Sequence, residues 1–135
     1  MTTKPNTPLL PEGWPRPKGY ANGVAATGRQ VYVAGQVGWD PQGVWNTDDF
    51  AAQTRQALAN IVAVLHSAGA EPKHIVRMTW YVTSKREYLA AGRAVGATFR
   101  EIIGDFDIAM TAVEVTALME DRAKVEIEVT AVIPD

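Results

Sequence analysis

Stretches in which apolar and polar residues alternate predict five strands in this chain. A short strand at Val24–Ala26 and a longer one at Gln30–Val37 are separated by a tight turn, and we expect the two to form a hairpin. His74–Thr83 alternates in the same way, and two further strands, Ile108–Leu118 and Lys124–Val132, end the chain. In the third strand, the residues assigned to the core face are Val76, Met78, Trp80 and Val82.

Apolar residues that recur every three to four positions predict two helices. This period holds between Phe50 and Gly69, with Thr47 as the candidate N-cap and Gly69 as the stop. The second helix begins with the capping-box sequence S-K-R-E at residues 84–87 and ends at Gly104. The predicted order is β-β-α-β-α-β-β. One sheet with two helices implies a two-layer α+β domain that has both helices on one sheet face.

The sheet face away from the helices is predicted to be apolar as well. Tyr32, Ala34, Val113 and Val115 all oppose positions assigned to the helix side. A sheet face that remains in water normally carries polar residues. We therefore expect self-association over this face. The alternative is that an N-terminal arm covers it through Trp14.

Proline spacing divides the chain into an arm and a domain. Five prolines between residues 5 and 17 exclude helix and interior strand there, so residues 1–18 are expected to form an extended or partly disordered arm. Residues 19–135 form the domain. At 135 residues the chain has the length of one domain. No apolar run approaches a membrane span or a signal peptide, and we expect a cytoplasmic protein.

Composition excludes several kinds of chemistry. The net charge of −2 is too close to neutral for an electrostatic nucleic-acid binder, so we expect no nucleic-acid partner. With no cysteine, disulfides, thiol nucleophiles and thiolate zinc sites are excluded. The two histidines, His66 and His74, are interpreted as ordinary surface or boundary residues, and no nucleotide-binding motif is present. No metal and no cofactor is expected.

Carboxylates within predicted strands are the remaining candidates for chemistry. Glu114, Glu126 and Glu128 occupy strand positions, where glutamate is depleted. The run 124–129 alternates strictly, so Glu126 and Glu128 share one face. That face is either simply solvated, or it forms a cleft in which a carboxylate moves protons. The spacing alone leaves both interpretations open.

Several motifs together resemble the RidA family, which is also called YjgF or L-PSP. They occur in order over nearly the whole chain from about Gly19 to Pro134. The matching segments are Gly19-Tyr20, the run V-Y-V-A-G-Q-V at 31–37 followed by Asp40-Pro41, Y-V-T at 81–83, A-V-E-V at 112–115 and V-E-I-E at 125–128.

This resemblance implies a chorismate-mutase-like α+β fold (bacillus type) that assembles as a homotrimer with clefts between subunits. Typical members hydrolyse reactive enamines and imines to a carbonyl compound and ammonia, without a metal or an organic cofactor. Their site residues carry over to Tyr20 and Gly35 for substrate binding and to Glu126 for holding the attacking water.

The chain departs from the family pattern at the carboxylate-binding arginine. Met110 stands at that position, Gly92 replaces a cleft asparagine, and Ala34 replaces a common serine. Arg93, beside Gly92, is a candidate for a displaced clamp. We therefore expect a divergent enamine/imine deaminase with a non-standard small-molecule substrate. The alternatives are a trimer that binds a small metabolite without catalysis and, disfavoured by the charge, an endoribonuclease or translation inhibitor.

Overall fold

The computed structural model describes residues 6–135 and has an α+β fold, as predicted. A mixed four-stranded sheet has the order β3-β6-β4-β5, in which only β4 and β5 run parallel. A separate two-stranded sheet is formed by β1 and β2. The elements are β1 Thr7–Leu9, β2 Gly23–Ala25, β3 Arg29–Val37, α1 Phe50–Ser67, a 3₁₀ turn Pro72–His74, β4 Ile75–Val82, α2 Lys85–Ala90, α3 Gly92–Ile102, β5 Ala109–Glu114 and β6 Val125–Ile133.

The predicted hairpin between the strands at Val24–Ala26 and Gln30–Val37 is wrong. β2 pairs with β1 of the arm, whereas β3 pairs antiparallel with β6 at the other end of the sequence. Gly28 lies between β2 and β3, at the point where the chain meets the end of β6. Its φ is +148°, and a Cβ there would overlap the carbonyl of Ile133, so the chain passes directly against the end of β6. The pairing partner of β2 is therefore β1 of the arm and not β3.

Within residues 6–18 of the predicted arm, Thr7–Leu9 form strand β1, and Trp14 does not anchor this segment. Trp14 is 58% exposed, whereas Asn6 is buried. The Asn6 side-chain amide donates to the carbonyls of Ile75 and Asp107, both at 3.3 Å. These two bonds join the arm to the beginning of β4 and to the segment before β5.

The first predicted helix forms, with a different N-cap. The N-cap of α1 is Asp49 and not Thr47: the Asp49 carboxylate accepts from the backbone N–H of Ala52 at 2.9 Å, while the Thr47 hydroxyl accepts from Asp49 N–H at 3.0 Å. Gly69 follows the helix with φ +74°, the conformation expected of a stop. The N-cap lies two residues later than predicted, because the Thr47 hydroxyl accepts from the N–H of Asp49 and the Asp49 side chain accepts from the first turn of the helix.

The second predicted helix is two helices, broken at Ala91. Gly92 follows the break, and glycine lowers helix stability because it gains the most backbone freedom on unfolding. Ser84 caps α2 as predicted, accepting from Glu87 N–H at 3.1 Å. The Glu87 carboxylate, however, forms an ion pair at 3.2 Å with Lys124, the residue before β6.

One hydrophobic core lies between the sheet and the helices. The core face of β4 differs from the prediction because the strand bulges near Val76, where its register with β6 shifts. Ile75 is consequently fully buried and Val76 only partly. The other buried strand residues include Val31, Val33, Met78, Trp80, Val125, Ile127 and Val129, packed against α1 residues such as Leu58 and Ile61.

The opposite sheet face is open in the single chain and is more polar than predicted. Tyr32 is 70% exposed and Val113 is 40% exposed. Arg77, Tyr81 and Glu128 lie on the same face and line a hollow with Tyr32. Among the helices of residues 6–135, none is long and apolar enough to cross a membrane.

Candidate functional site

The Glu126 carboxylate lies directly on the backbone of Gly35. β3 bulges between Val33 and Gln36, so that two residues, Ala34 and Gly35, oppose one on β6. A Cβ added to Gly35 would overlap the Glu126 carboxylate. The bulge and the missing side chain together let a half-buried carboxylate on the open face approach the main chain.

The carboxylate of Glu128, two residues further along β6, is hydrogen-bonded to a tyrosine. The Tyr81 hydroxyl donates to Glu128 Oε1 at 2.6 Å. This hydrogen bond, with smaller contributions from burial and from the charges of Glu128 and Glu126, raises the pKa of Tyr81, and Arg77 opposes the rise. Within the part of the chain that the structure describes, no donor is hydrogen-bonded to the Glu126 carboxylate. The two glutamates are therefore not equivalent, and Glu126 is the one available to a water or a ligand.

Met110 lies on the other face of the sheet. In the parallel pairing of β4 and β5 it is level with the buried Met78, so both side chains point to the helices. There Met110 lines a cavity of about 520 Å³ together with Trp80 and Phe99. Within one chain, Met110 and Glu126 are consequently separated by the sheet.

Tyr20 lies near the start of β5 and not near Glu126. It is 45% exposed and lines a smaller hollow of about 290 Å³ with Phe106. The next residue, Ala21, forms a parallel bridge to Ala109, and its N–H donates to the carbonyl of Ile108 at 2.9 Å. The structure therefore brings Gly35 and Glu126 together at one place, and puts Tyr20 at the strand that carries Met110.

Arg93 does not reach the cavity of Met110, but Arg100 does. Arg93 is exposed on α3 and is not part of the lining, whereas Gly92, Gly96 and Arg100 are. Residues four apart lie on one face of a helix, so the spacing 92, 96 and 100 was a signal available in the sequence. Arg93, next to Gly92, was the predicted clamp, and Arg100 was not predicted.

His74 makes a hydrogen bond to the backbone and is not part of a metal-binding cluster among the described residues. His74 Nδ1 accepts from Glu71 N–H at 2.9 Å, and burial is the main cause that lowers the pKa of His74. Across residues 6–135, no group of three or more His, Cys, Asp or Glu side chains is placed to hold a metal ion.

The fold and the site define a small α+β protein with a strand carboxylate set at a β-bulge. The family model described as Endoribonuclease L-PSP matches residues 15–133. The chain therefore belongs to this family, which includes the Rid and YjgF proteins.

Relatives with assigned names agree with this membership. The chain is 34% identical to a 2-iminobutanoate/2-iminopropanoate deaminase of Salmonella typhimurium, over 84% of this chain and 86% of that protein. It is 31% identical to a RutC family protein of Pyrococcus horikoshii, over 91% and 94% of the two chains. A crystal structure of a Rid family protein of unknown function from Yersinia pestis is similar with a TM-score of 0.82 and 32% identity, over 96% of this chain and 99% of that one.

Proposed function

We propose that the protein is a divergent enamine/imine deaminase in which Glu126 holds and deprotonates the attacking water. The observation that carries the proposal is the Glu126 carboxylate, held against Gly35 and without a hydrogen-bond donor among residues 6–135. The deaminase name of the Salmonella typhimurium relative supports the reaction class.

The reaction needs one group that accepts and returns a proton. Water adds to the carbon of the protonated C=N bond while Glu126 takes one of its protons, which gives a neutral carbinolamine. The carboxylic acid then returns this proton to nitrogen. As the C–N bond breaks, the Glu126 carboxylate takes the hydroxyl proton, so the carbonyl compound and ammonia leave, and ammonia then takes that proton to restore the carboxylate. An enamine enters this sequence after it tautomerises to the imine. One carboxylate therefore serves as base and as acid, and the scheme uses neither a metal nor an organic cofactor.

We propose further that the working unit is a chorismate-mutase-like homotrimer in the cytoplasm, with sites between subunits. Glu126 and Gly35 lie on the open sheet face, whereas Met110 and Tyr20 belong to the β5 side of the same chain. A neighbouring subunit packed over the open face would join one chain's Glu126 to the other's Met110. The exposed Tyr32 on that face supports such a contact.

The substrate differs from the small imino acids because Met110 cannot bind a carboxylate. A thioether is at best a weak acceptor, while an arginine forms two charge-assisted hydrogen bonds. Each such bond contributes about 1.5–3 kcal/mol, so the pair is worth about two to four decades in affinity or rate. We expect turnover of 2-iminopropionate to be poor by that factor.

The test compares Glu126→Gln with Glu128→Gln. Both substitutions remove one carboxylate from the same face of β6, but only Glu126 has the position for catalysis. We expect Glu126→Gln to abolish imine hydrolysis and Glu128→Gln to keep most of it, with both variants folded and assembled as the wild type. Equal losses in the two variants would overturn the assignment of Glu126. Ligand binding by a wild type that hydrolyses no imine would favour the non-catalytic alternative, which the loss of the arginine also suggests.

A further inference from the structure

The cavity beside Met110 has an aromatic wall. The ring of Trp80 has centroid distances of 6.3 Å to both Tyr88 and Phe99. Phe106 closes the end next to Gly104, whose φ of +107° suits glycine. The volume of about 520 Å³ falls within the range of small-molecule sites. Such a cavity has room for a ring or a long alkyl chain and contacts a methyl group poorly.

One cationic side chain, that of Arg100, lines this cavity. Its Nη1 atom lies 3.5 Å from the position of a Cβ on Gly96, so the guanidinium folds back over the glycine of the preceding turn. The neighbouring Glu101 pairs with Arg55 of α1 at 2.5 Å. In the described range 6–135, no carboxylate lies within 4 Å of the Arg100 guanidinium. The guanidinium is therefore available to an anion from solution.

Charge and shape together restrict the ligand. Asp105 also lines the cavity, and it is not within 4 Å of Arg100. A ligand thus meets a positive charge on α3 and a negative charge on the loop that follows. The carboxylate and the protonated nitrogen of an imino acid match this combination, and an apolar side chain matches the aromatic wall.

We propose that Arg100 binds the carboxylate of an imino acid whose aromatic or long aliphatic side chain fills the cavity beside Met110. This inference rests on the proposed deaminase function and names its substrate class. Gly92 and Gly96 contribute to the same binding site, because without side chains they leave the α3 surface open to the ligand. Arg100 acts in binding, and in the proposed trimer Glu126 of the partner subunit performs the chemistry.

The test measures binding by calorimetry with three stable probes. Phenylpyruvate has both the ring and the carboxylate, pyruvate lacks the ring, and phenylacetone lacks the carboxylate. We expect phenylpyruvate to bind at least tenfold more tightly than either of the others. Arg100→Met should weaken phenylpyruvate about tenfold, which corresponds to one charge-assisted contact, and should leave phenylacetone unchanged. Arg100→Lys should restore part of the loss.

Arg93→Met is the matched control, because Arg93 is an exposed arginine on the same helix that does not line the cavity. Its affinity for phenylpyruvate should equal that of the wild type. The proposal is overturned if the wild type does not prefer phenylpyruvate, if Arg100→Met binds it as the wild type does, or if Arg93→Met loses as much. Binding of these probes is measured apart from turnover, so a failure of binding and a failure of hydrolysis are distinguished. Normal binding without any hydrolysis by the wild type would refute the deaminase function and leave Arg100 as a ligand-binding residue.

Discussion

Replacing Gly35 by alanine tests whether the Glu126 carboxylate must touch the main chain of the bulge. A Cβ at Gly35 would lie 2.8 Å from Glu126 Cδ and 2.9 Å from Cγ. Carbon atoms pack at about 3.5–4.0 Å, so the carboxylate has to move by roughly 1 Å. A displacement of that size costs about a hundredfold in rate when the group must be aligned with the reacting atoms. We therefore expect Gly35→Ala to lower kcat about a hundredfold.

The same substitution should change stability little. Gly35 is not among the glycines with positive φ, so alanine fits the backbone conformation. The overlapping atoms belong to a half-buried, flexible side chain, and we expect a loss of at most about 1 kcal/mol in the free energy of unfolding. Shortening that side chain in Glu126→Ala removes the overlap, so this small cost should vanish in the double variant.

Urea unfolding of the wild type, the two single variants and the double variant measures this coupling, and imine hydrolysis measures the rate. The Gly23→Ala variant provides a comparison, because the three atoms nearest to its Cβ would all belong to the Leu9 side chain. Full activity in Gly35→Ala, or additive stability changes in the double variant, would refute the close contact as the cause.

Three further outcomes are expected. Met110→Arg should raise kcat/KM for 2-iminopropionate above that of the wild type; an unchanged value would show that Met110 is not the reason for poor turnover. Light scattering should give about 44 kDa, three chains of 14.7 kDa, and a monomer at micromolar concentration would contradict a site between subunits. Because the pKa of Tyr81 is raised in the folded state, stability should fall as pH rises above the ordinary value of about 10, until the folded-state pKa is passed. Tyr81→Phe should lose part of this alkaline decline in thermal melts, and an identical pH profile would argue against the bond to Glu128.

Local patterns in the sequence predicted the elements better than their pairing. Strict alternation placed Glu126 and Glu128 on one face of β6 because the strand period is two residues. The hairpin prediction was wrong because the pairing partner of β2 lies in the arm, and no local sequence pattern indicates this pairing. The bulge at Ala34–Gly35 was missed for a related reason: an inserted residue breaks the alternation only where the partner strand is known.

The site was partly predictable for the same physical reason. Resemblance to a family located Gly35 and Glu126, which the fold brings into contact. Arg100 has no counterpart among the motifs, and its role depends on the direction in which a long side chain folds over Gly96. A glycine spacing of four can indicate an open helix face, but only the three-dimensional structure shows which side chain lies over that face.

The position of β6 has a consequence for the synthesis of this protein. β6, which follows β3, β4 and β5 in the sequence, is an inner strand of the sheet, paired with β3 on one side and with β4 on the other. While the ribosome is still making residues 125–133, β3 and β4 have no neighbour between them. Since domains generally fold as units during synthesis, the sheet closes only when residues 125–133 have left the exit tunnel. Deleting these nine residues would therefore remove an inner strand of the sheet and leave β3 and β4 without the strand that pairs with both.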